Sequence, residues 1–447
     1  MRARRVLWLC VMAAAAAAVG GCGDESSDLV DGRFTPEEWA EIEKLSPLPA
    51  LEPDTTNAFA DDPKAAALGQ RLFYEKGYAG PIKVANDLGN VGETGKVSCE
   101  SCHIKTDWFV DTRSKPANTS IAIDWFIRNA PTLVNVATYT DWFGWVGYND
   151  NLWGKCLVPA EFVMGTDRSG IVHFLYQQPD YRAAYNELFE PDLDPALDPM
   201  HPDAARFPMI ASPTVAPDVW NGMPEADRGV INRGYANFGK ALAAYLRLLQ
   251  SGNAPFDRYV AGDVSAISDS AKRGLGLFVG KAACVACHAG PTFTDNDFHV
   301  TGVPQIGDHV LPPDMGGDPG RFQALDVYFG WDFSTKGIYN DDPSIDRSKG
   351  VTKDAKLTGA FRTKGLRSVA KTGPFMHTGH LATLRDVVEF YNVGGADKDF
   401  AGTKDPLMVP LNLSAEEVDD LVAFLETLTG EPIREELLVD TSFGSTK

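Results

Sequence analysis

The chain has 447 residues, of which 44% are apolar, 10% aromatic and 23% charged. That is globular composition with material for two or three domains, and it excludes wholesale disorder. Acidic residues outnumber basic ones 61 to 41, a formal charge of −20, so the surface repels nucleic acid and anionic lipid and favours a basic protein partner.

In chain order, a basic start (Arg2, Arg4, Arg5) precedes an apolar, alanine-rich run over 6–19. The run is too short to span a bilayer, which takes about 20 residues, so 1–21 reads as a signal peptide. Val19-Gly20-Gly21-Cys22 resembles the lipobox of bacterial lipoproteins, in which the cysteine becomes the lipidated first residue; the alternative is an ordinary signal peptide with Cys22 incidental. The lipobox reading predicts a periplasmic protein that meets a membrane only through a lipid anchor. A tether and short helix fill 22–60, the helix started by Thr35-Pro36-Glu37-Glu38, and 47–62 reads as linker. Ala65, Leu68, Leu72 and Phe73 predict a helix over 65–74. The proline-rich stretch 190–224 reads as irregular connection. Ile231, Tyr235, Phe238, Leu242, Tyr245 and Leu249 predict a helix over 228–250, ended by Pro255, and a further helix covers 270–281. Residues 332–356 form a charged insertion, either a docking loop or a solvated one. Ser414-Ala415-Glu416-Glu417 is a capping box that opens a last helix with Val418, Leu421, Leu425 and Leu428 inward, closed at Gly430. Residues 431–447 read as a tail.

Of the seven cysteines, Cys10 lies in the signal and Cys22 at the lipobox. Four form Cys99-Glu100-Ser101-Cys102-His103 and Cys284-Val285-Ala286-Cys287-His288, leaving Cys156, which reads as a small buried hydrophobe. Two thiols two residues apart can add to the two vinyl groups of a haem, and the adjacent histidine can ligate its iron. Chance would place the motif in such a chain on the order of 0.002 times. A zinc knuckle needs four closed ligands and a redox dithiol has no use for the histidine. The pattern of helix, Cys-x-x-Cys-His and loop occurs twice, with few strand signals. It predicts a mainly α fold of two tandem cytochrome c-like haem domains with long irregular loops, one over 61–255 and one over 256–430, holding two covalently bound haem c.

From about Asp61 to Gly430 the chain resembles the bacterial di-haem cytochrome c peroxidases, and within them the MauG-type branch. The resemblance is carried in the second half by Asp297-Phe298-His299, Gly302-Val303-Pro304 and Asp318-Pro319-Gly320-Arg321-Phe322. It continues through Phe361-Arg362-Thr363, Thr372-Gly373-Pro374-Phe375-Met376-His377-Thr378-Gly379 and Val388-Glu389-Phe390-Tyr391-Asn392. In the first half, Arg128-Asn129-Ala130-Pro131-Thr132-Leu133 and Trp145-x-Gly147 match.

The resemblance implies His288 and Tyr391 as the axial pair of the second haem, as in the MauG-type branch, with Met376 the alternative ligand to Tyr391. It implies His103 at the first haem. The capping histidine that many relatives carry is expected near Ile121 and is missing, which leaves this iron open to hydrogen peroxide, unless His173 or Lys155 caps it. Trp145 matches the residue that carries electrons between the haems; the alternative is a packing aromatic. Asn129, Thr372 and Pro374 match an interdomain calcium site.

Three departures stand beside these matches. The distal carboxylate expected to move the peroxide proton aligns near Val163, and Glu161 is the carboxylate closest by, either re-routed toward the iron or an exposed surface acid. Tyr148 stands where an arginine is usual, and Lys155 replaces a distal glutamine, while Pro159 fits the MauG-type pattern. The expected activity is reduction of hydrogen peroxide with electrons from a small cytochrome c or cupredoxin, with a homodimer as the candidate assembly. The alternatives are MauG-type oxidation of residues on a partner protein, and electron transfer without catalysis.

Overall fold

The computed structural model describes residues 29–113 and 119–444; the expectations for the signal peptide and Cys22 lie outside the described residues. Among the described residues twelve α-helices run in the order α1 (Pro36–Glu43), α2 (Pro63–Tyr74), α3 (Leu152–Phe162), α4 (Arg168–Gln177), α5 (Pro179–Asn186) and α6 (Pro217–Gly222), then α7 (Glu225–Leu246), α8 (Pro255–Val260), α9 (Asp269–Val279), α10 (Arg321–Gly330), α11 (Leu384–Asn392) and α12 (Ala415–Glu426). The described sheet is one two-residue pairing, β1 (Phe298–His299) against β2 (Phe361–Arg362). The predicted helices all form, with ends displaced by a few residues.

Two helix pairs carry the most extensive packing, α2 on α7 and α9 on α12. Each leading helix is started by a side-chain cap, Asp62 on the Lys64 and Ala65 amides and Ser268 on the Ala271 amide. At each crossing the backbones touch: a Cβ on Gly69 would collide with the Ala241 carbonyl, and one on Gly274 with the Asp420 carbonyl. Gly69 and Gly274 occupy the same place in Gly69-Gln70-Arg71-Leu72-Phe73 and Gly274-Leu275-Gly276-Leu277-Phe278. The halves also share a turn after Pro131 and after Lys364, where Asn135 and Ser368 take left-handed backbone (φ 58° and 59°) and start short 3-10 helices. Their amides bond the Leu249 and Leu428 carbonyls at 2.8 and 2.9 Å. These correspondences are the structural form of the tandem repeat.

The ends of the chain cross between the halves. Phe34, Ile42 and Leu45 join the core of the second half, and the Arg367 guanidinium holds the Leu45 carbonyl at 2.9 Å. The stretch read as tether is therefore docked from Phe34 onward. At the other end Ile433 and Leu437 enter the core of the first half, where Tyr74 and Tyr245 donate to the Leu437 carbonyl at 3.1 and 2.7 Å.

The charged insertion is anchored at its start and solvated along much of its charged remainder. Phe333 and Tyr339 are buried, Asn151 donates to the Phe333 carbonyl, the Asp150 carboxylate accepts from the Thr335 amide, and Lys240 pairs with Asp341 at 2.6 Å. Its aromatic residues and Asp341 are anchored on the flank of α3 and α7, while Lys336, Lys349, Lys353 and Lys356 stay exposed.

Candidate functional site

Both Cys-x-x-Cys-His segments fold alike. A 3-10 turn, Cys99–Ser101 or Cys284–Ala286, brings the histidine amide back to the first cysteine's carbonyl, at 3.0 and 2.9 Å. His103 Nδ1 lies 3.0 Å from the Phe109 carbonyl and His288 Nδ1 3.0 Å from the Phe293 carbonyl. Phe109 and Phe293 share left-handed backbone, φ 56° and 55°. A carbonyl accepts only, so the proton sits on Nδ1 and the Nε2 lone pair of each ring is available to a metal. Burial lowers the pKa of both imidazoles, that of His103 to about 4. It raises all four thiols, Cys99 and Cys287 to about 11 and Cys102 and Cys284 to about 12. All four are free of disulfides. Each segment thus presents two neutral thiols and one oriented neutral imidazole, the donor set of haem c.

The interior between the two segments is cationic. Arg362 Nη2 is buried without a hydrogen-bond partner. Burial depresses the pKa of Lys155 and Lys364, and neither forms an ion pair among the described residues. A group bearing carboxylates, as haem does, fits the unpartnered Nη2 of the Arg362 guanidinium. At the rim of the second segment His299 is clamped by Asp405 on Nδ1 at 2.7 Å and Asp295 on Nε2 at 2.9 Å.

Tyr391 lies in α11, and its phenol is pushed upward in pKa by burial and by the nearby Cys284 and Cys287 thiols. Met376 occupies a turn closed by the Phe375–Leu381 pairing, with φ 66°; no described contact joins it to the second segment. The structure brings Tyr391 to the cysteines.

Trp145 is held from both halves. Its indole N–H donates to the Asn129 carbonyl at 2.7 Å, the Arg362 amide bonds the Trp145 carbonyl at 2.8 Å, and Lys364 Nζ stands 5.0 Å from the ring centroid. The backbones of Pro131 and Lys364 face the His103 and His288 imidazoles respectively. Asn129 further donates its amide N–H to the His377 carbonyl at 2.7 Å and Nδ2 to the Pro374 carbonyl at 3.1 Å, while its Oδ1 accepts from Ser120 at 3.2 Å. Asn129 and Pro374 are therefore together, and Thr372 bonds the Val369 carbonyl.

Glu161 is corrected on both of its expected positions. It is neither re-routed toward His103 nor exposed: it is buried, with Oε1 2.9 Å from Arg168 Nε. Arg168 in turn lies against Phe333, Trp331 and Trp220. The reason is helical phase. Lys155, Cys156, Pro159 and Val163 follow one stripe of α3 and its end, only half-buried, and this stripe meets the first segment: the Cys156 thiol senses Cys99, and His103 senses Lys155. Glu161 projects from another flank. His173 is likewise unavailable as a cap, because both its ring nitrogens lie against carbonyls, Leu197 at 3.0 Å and Phe207 at 2.9 Å. Ile121, where a capping histidine was sought, is buried, its carbonyl taking a 2.8 Å bond from Arg113.

Sequence reasoning missed two features of the site. Arg128 binds Asp318 through two 2.7 Å bonds, both residues buried, tying the halves together. His377 stacks on Phe361 at 3.6 Å and lies 6.3 Å from Trp145. Both sit inside matched motifs, so the signal was present; the partner was not.

The sequence profile described as di-haem cytochrome c peroxidase matches residues 63–265. The cytochrome-c peroxidase IdrP1 of Denitromonas iodatirespirans is 34% identical over 430 residues, covering 94% of this chain and 92% of that protein. The methylamine utilization protein MauG of Methylorubrum extorquens is 38% identical over 192 residues, 43% of this chain and 44% of that one. Among solved structures, a MauG-like protein associated with microbial copper homeostasis superposes with a TM-score of 0.57 at 24% identity, over 89% of this chain and 97% of that one. The di-haem peroxidase BthA of Burkholderia thailandensis gives 0.56 at 22% identity, over 86% and 90%. These two likenesses bear on the fold, which is that of tandem helical haem domains.

Proposed function

The chain belongs to the di-haem cytochrome c peroxidase family, and from that premise we propose that it reduces hydrogen peroxide at the haem held by Cys99, Cys102 and His103. Cys284, Cys287 and His288 would hold the second haem, whose redox chemistry would relay electrons from the donor. When bound, the two haem c groups supply the iron redox chemistry. Around them the chain's own residues divide the work. The Phe109 and Phe293 carbonyls fix each imidazole through Nδ1 and leave Nε2 to bind an iron; Tyr391 would be the second ligand of the haem held by His288, and Trp145 would connect the two centres. The observation that carries the reading is Ile121, buried where a capping histidine would stand and offering no ligand atom from its side chain, so that the iron held by His103 would stay open to peroxide.

The donor is a small cytochrome c or cupredoxin with a basic docking face, complementary to a chain of net charge −20. Steady-state peroxide turnover with several such donors tests the activity; turnover no faster than free haem, with every donor, overturns it. A calcium ion would use Asn129 Oδ1 with the Pro374 and Thr372 carbonyls, once the Asn129 amide turns its oxygen toward Pro374. Chelation that leaves activity and melting temperature unchanged removes that ion from the account. Export to the periplasm and a lipid on Cys22 complete the proposal, tested by mass spectrometry of the mature N-terminus.

Tyr391 favours a second reading, MauG-type oxidation of residues on a partner protein, because an anionic oxygen donor stabilises oxidised iron where a thioether favours reduced iron. In that case Tyr391→Met abolishes the coupled response of both haems to peroxide. If peroxide still bleaches both haems in this variant, the second reading fails.

A further inference from the structure

The family's chemistry needs a group that carries a proton between the two peroxide oxygens, and the one carboxylate near the expected place is engaged elsewhere. Glu161 points off the other flank of α3 into Arg168. The α3 stripe that does meet the first haem segment presents Lys155 beside Cys156, Pro159 and Val163. We infer that Lys155 is the proton-carrying residue on the peroxide side of the first haem, replacing the missing carboxylate with an amine.

Three observations on this chain support the assignment. The first is placement: the charge of Lys155 acts on His103, and its helical neighbour Cys156 acts on Cys99, so the stripe faces the segment that holds the haem. The second is room. Gly144 has φ +78°, and a Cβ there would stand 3.1 Å from Lys155 Cε and 3.6 Å from Nζ. The lysine side chain thus runs over a glycine just ahead of Trp145 and ends beside that loop. The third is freedom. No carboxylate pairs with Lys155 among the described residues, and the charged or titratable groups facing it are Arg128, Lys364, His103 and Cys156. Arg128 is itself committed to Asp318. Burial brings the Lys155 pKa down to about 8, in the range where an amine both takes up and gives back a proton near neutral pH.

The step balances without a further reagent. Neutral Lys155 Nζ accepts the proton released from one oxygen of hydrogen peroxide. The ammonium so formed returns it to the other oxygen as the O–O bond breaks and water leaves. Overall, H2O2 + 2 H+ + 2 e− gives 2 H2O, with both electrons from the redox donor.

This inference rests on peroxide reacting at the first haem, and its test separates the two claims. In holoprotein, the rate of the peroxide reaction is measured against pH for wild type, Lys155→Arg, Lys155→Met and Lys155→Glu, together with fluoride affinity of the ferric protein. The wild-type rate is expected to rise with pH and level off above about pH 8. Lys155→Arg and Lys155→Met are expected to lose about 100-fold or more, and Lys155→Glu to recover rate with its rise moved to acid pH. Fluoride binding, read from the high-spin haem spectrum near pH 6, is expected to survive in Lys155→Arg, which still donates, and to weaken about tenfold in Lys155→Met. A peroxide rate and fluoride affinity unchanged in Lys155→Met overturn the assignment while leaving the peroxidase reading intact. A resting wild-type protein with two low-spin irons, one becoming high-spin in Lys155→Met, also overturns it, because Lys155 is then an iron ligand. A wild-type protein that does not react with peroxide removes both claims.

Discussion

Lys364 holds its Nζ 5.0 Å from the centre of the Trp145 ring, while the same residue's backbone faces the His288 imidazole. On the other side the Trp145 indole N–H donates to Asn129, two residues before Pro131, whose backbone faces His103. One indole therefore spans the short stretch of protein between the histidines of the two Cys-x-x-Cys-His segments.

Replacing that indole should slow traffic between the haems without disturbing their attachment. Trp145→Phe is expected to leave both haems bound, as judged by pyridine haemochrome content. After one equivalent of peroxide at the first haem, oxidation of the second should slow about tenfold or more in stopped-flow spectra. An unchanged rate would make Trp145 a packing residue.

The Arg128–Asp318 pair joins the halves in the interior. Although burial pushes the Asp318 carboxyl upward, Arg128 holds it below the ordinary value. Asp318→Ala leaves a buried guanidinium uncompensated and should cost about 3–5 kcal/mol, measured by denaturant unfolding of the holoprotein. A loss under 1 kcal/mol would mean the site relaxes to admit water.

The His299 clamp makes the second half sensitive to alkali. The hydrogen bond to Asp295, with that to Asp405, raises the His299 pKa from 6.5 to about 9. The folded state thus holds a proton the unfolded chain gives up. The stabilisation is complete below pH 6.5 and is lost as pH rises through about 9. Melting temperature should fall across that window in wild type and stay flatter in His299→Gln.

At the crossing of α9 and α12, Gly274→Ala drives a methyl into the Asp420 carbonyl. The expected outcome is loss of at least about 1–3 kcal/mol and poor haem retention in the second half, with Gly69→Ala doing the same at the first crossing. Ordinary stability in both variants would show that the helices can separate.

Much of this was legible in the sequence for definite reasons. The haem segments are local: five consecutive residues contain the whole donor set. The helices 228–250 and 270–281 announce themselves by periodicity, and Ser414 with Glu417 forms the expected capping box. What was hidden is what depends on partners far along the chain. Glu161 and Arg168 are close in sequence, yet the aromatic enclosure that holds them comes from Trp220, Trp331 and Phe333. The anchoring of the charged insertion was hidden because Asp341 and Arg347 show no partner in sequence until Lys240 and the Asp150 carbonyl are placed against them. The docking of residues 34–45 on the second half is likewise a contact between distant segments. Helix α3, with Pro159 inside it, gave no clean period, and its phase decides which of Lys155 and Glu161 faces the first Cys-x-x-Cys-His segment.

The most direct test of the central claim is low-temperature EPR of the resting ferric holoprotein before and after one equivalent of hydrogen peroxide. An open first haem coupled to a Tyr391-ligated second haem predicts one high-spin and one low-spin signal, both lost on adding peroxide. Two low-spin signals that persist unchanged would contradict it.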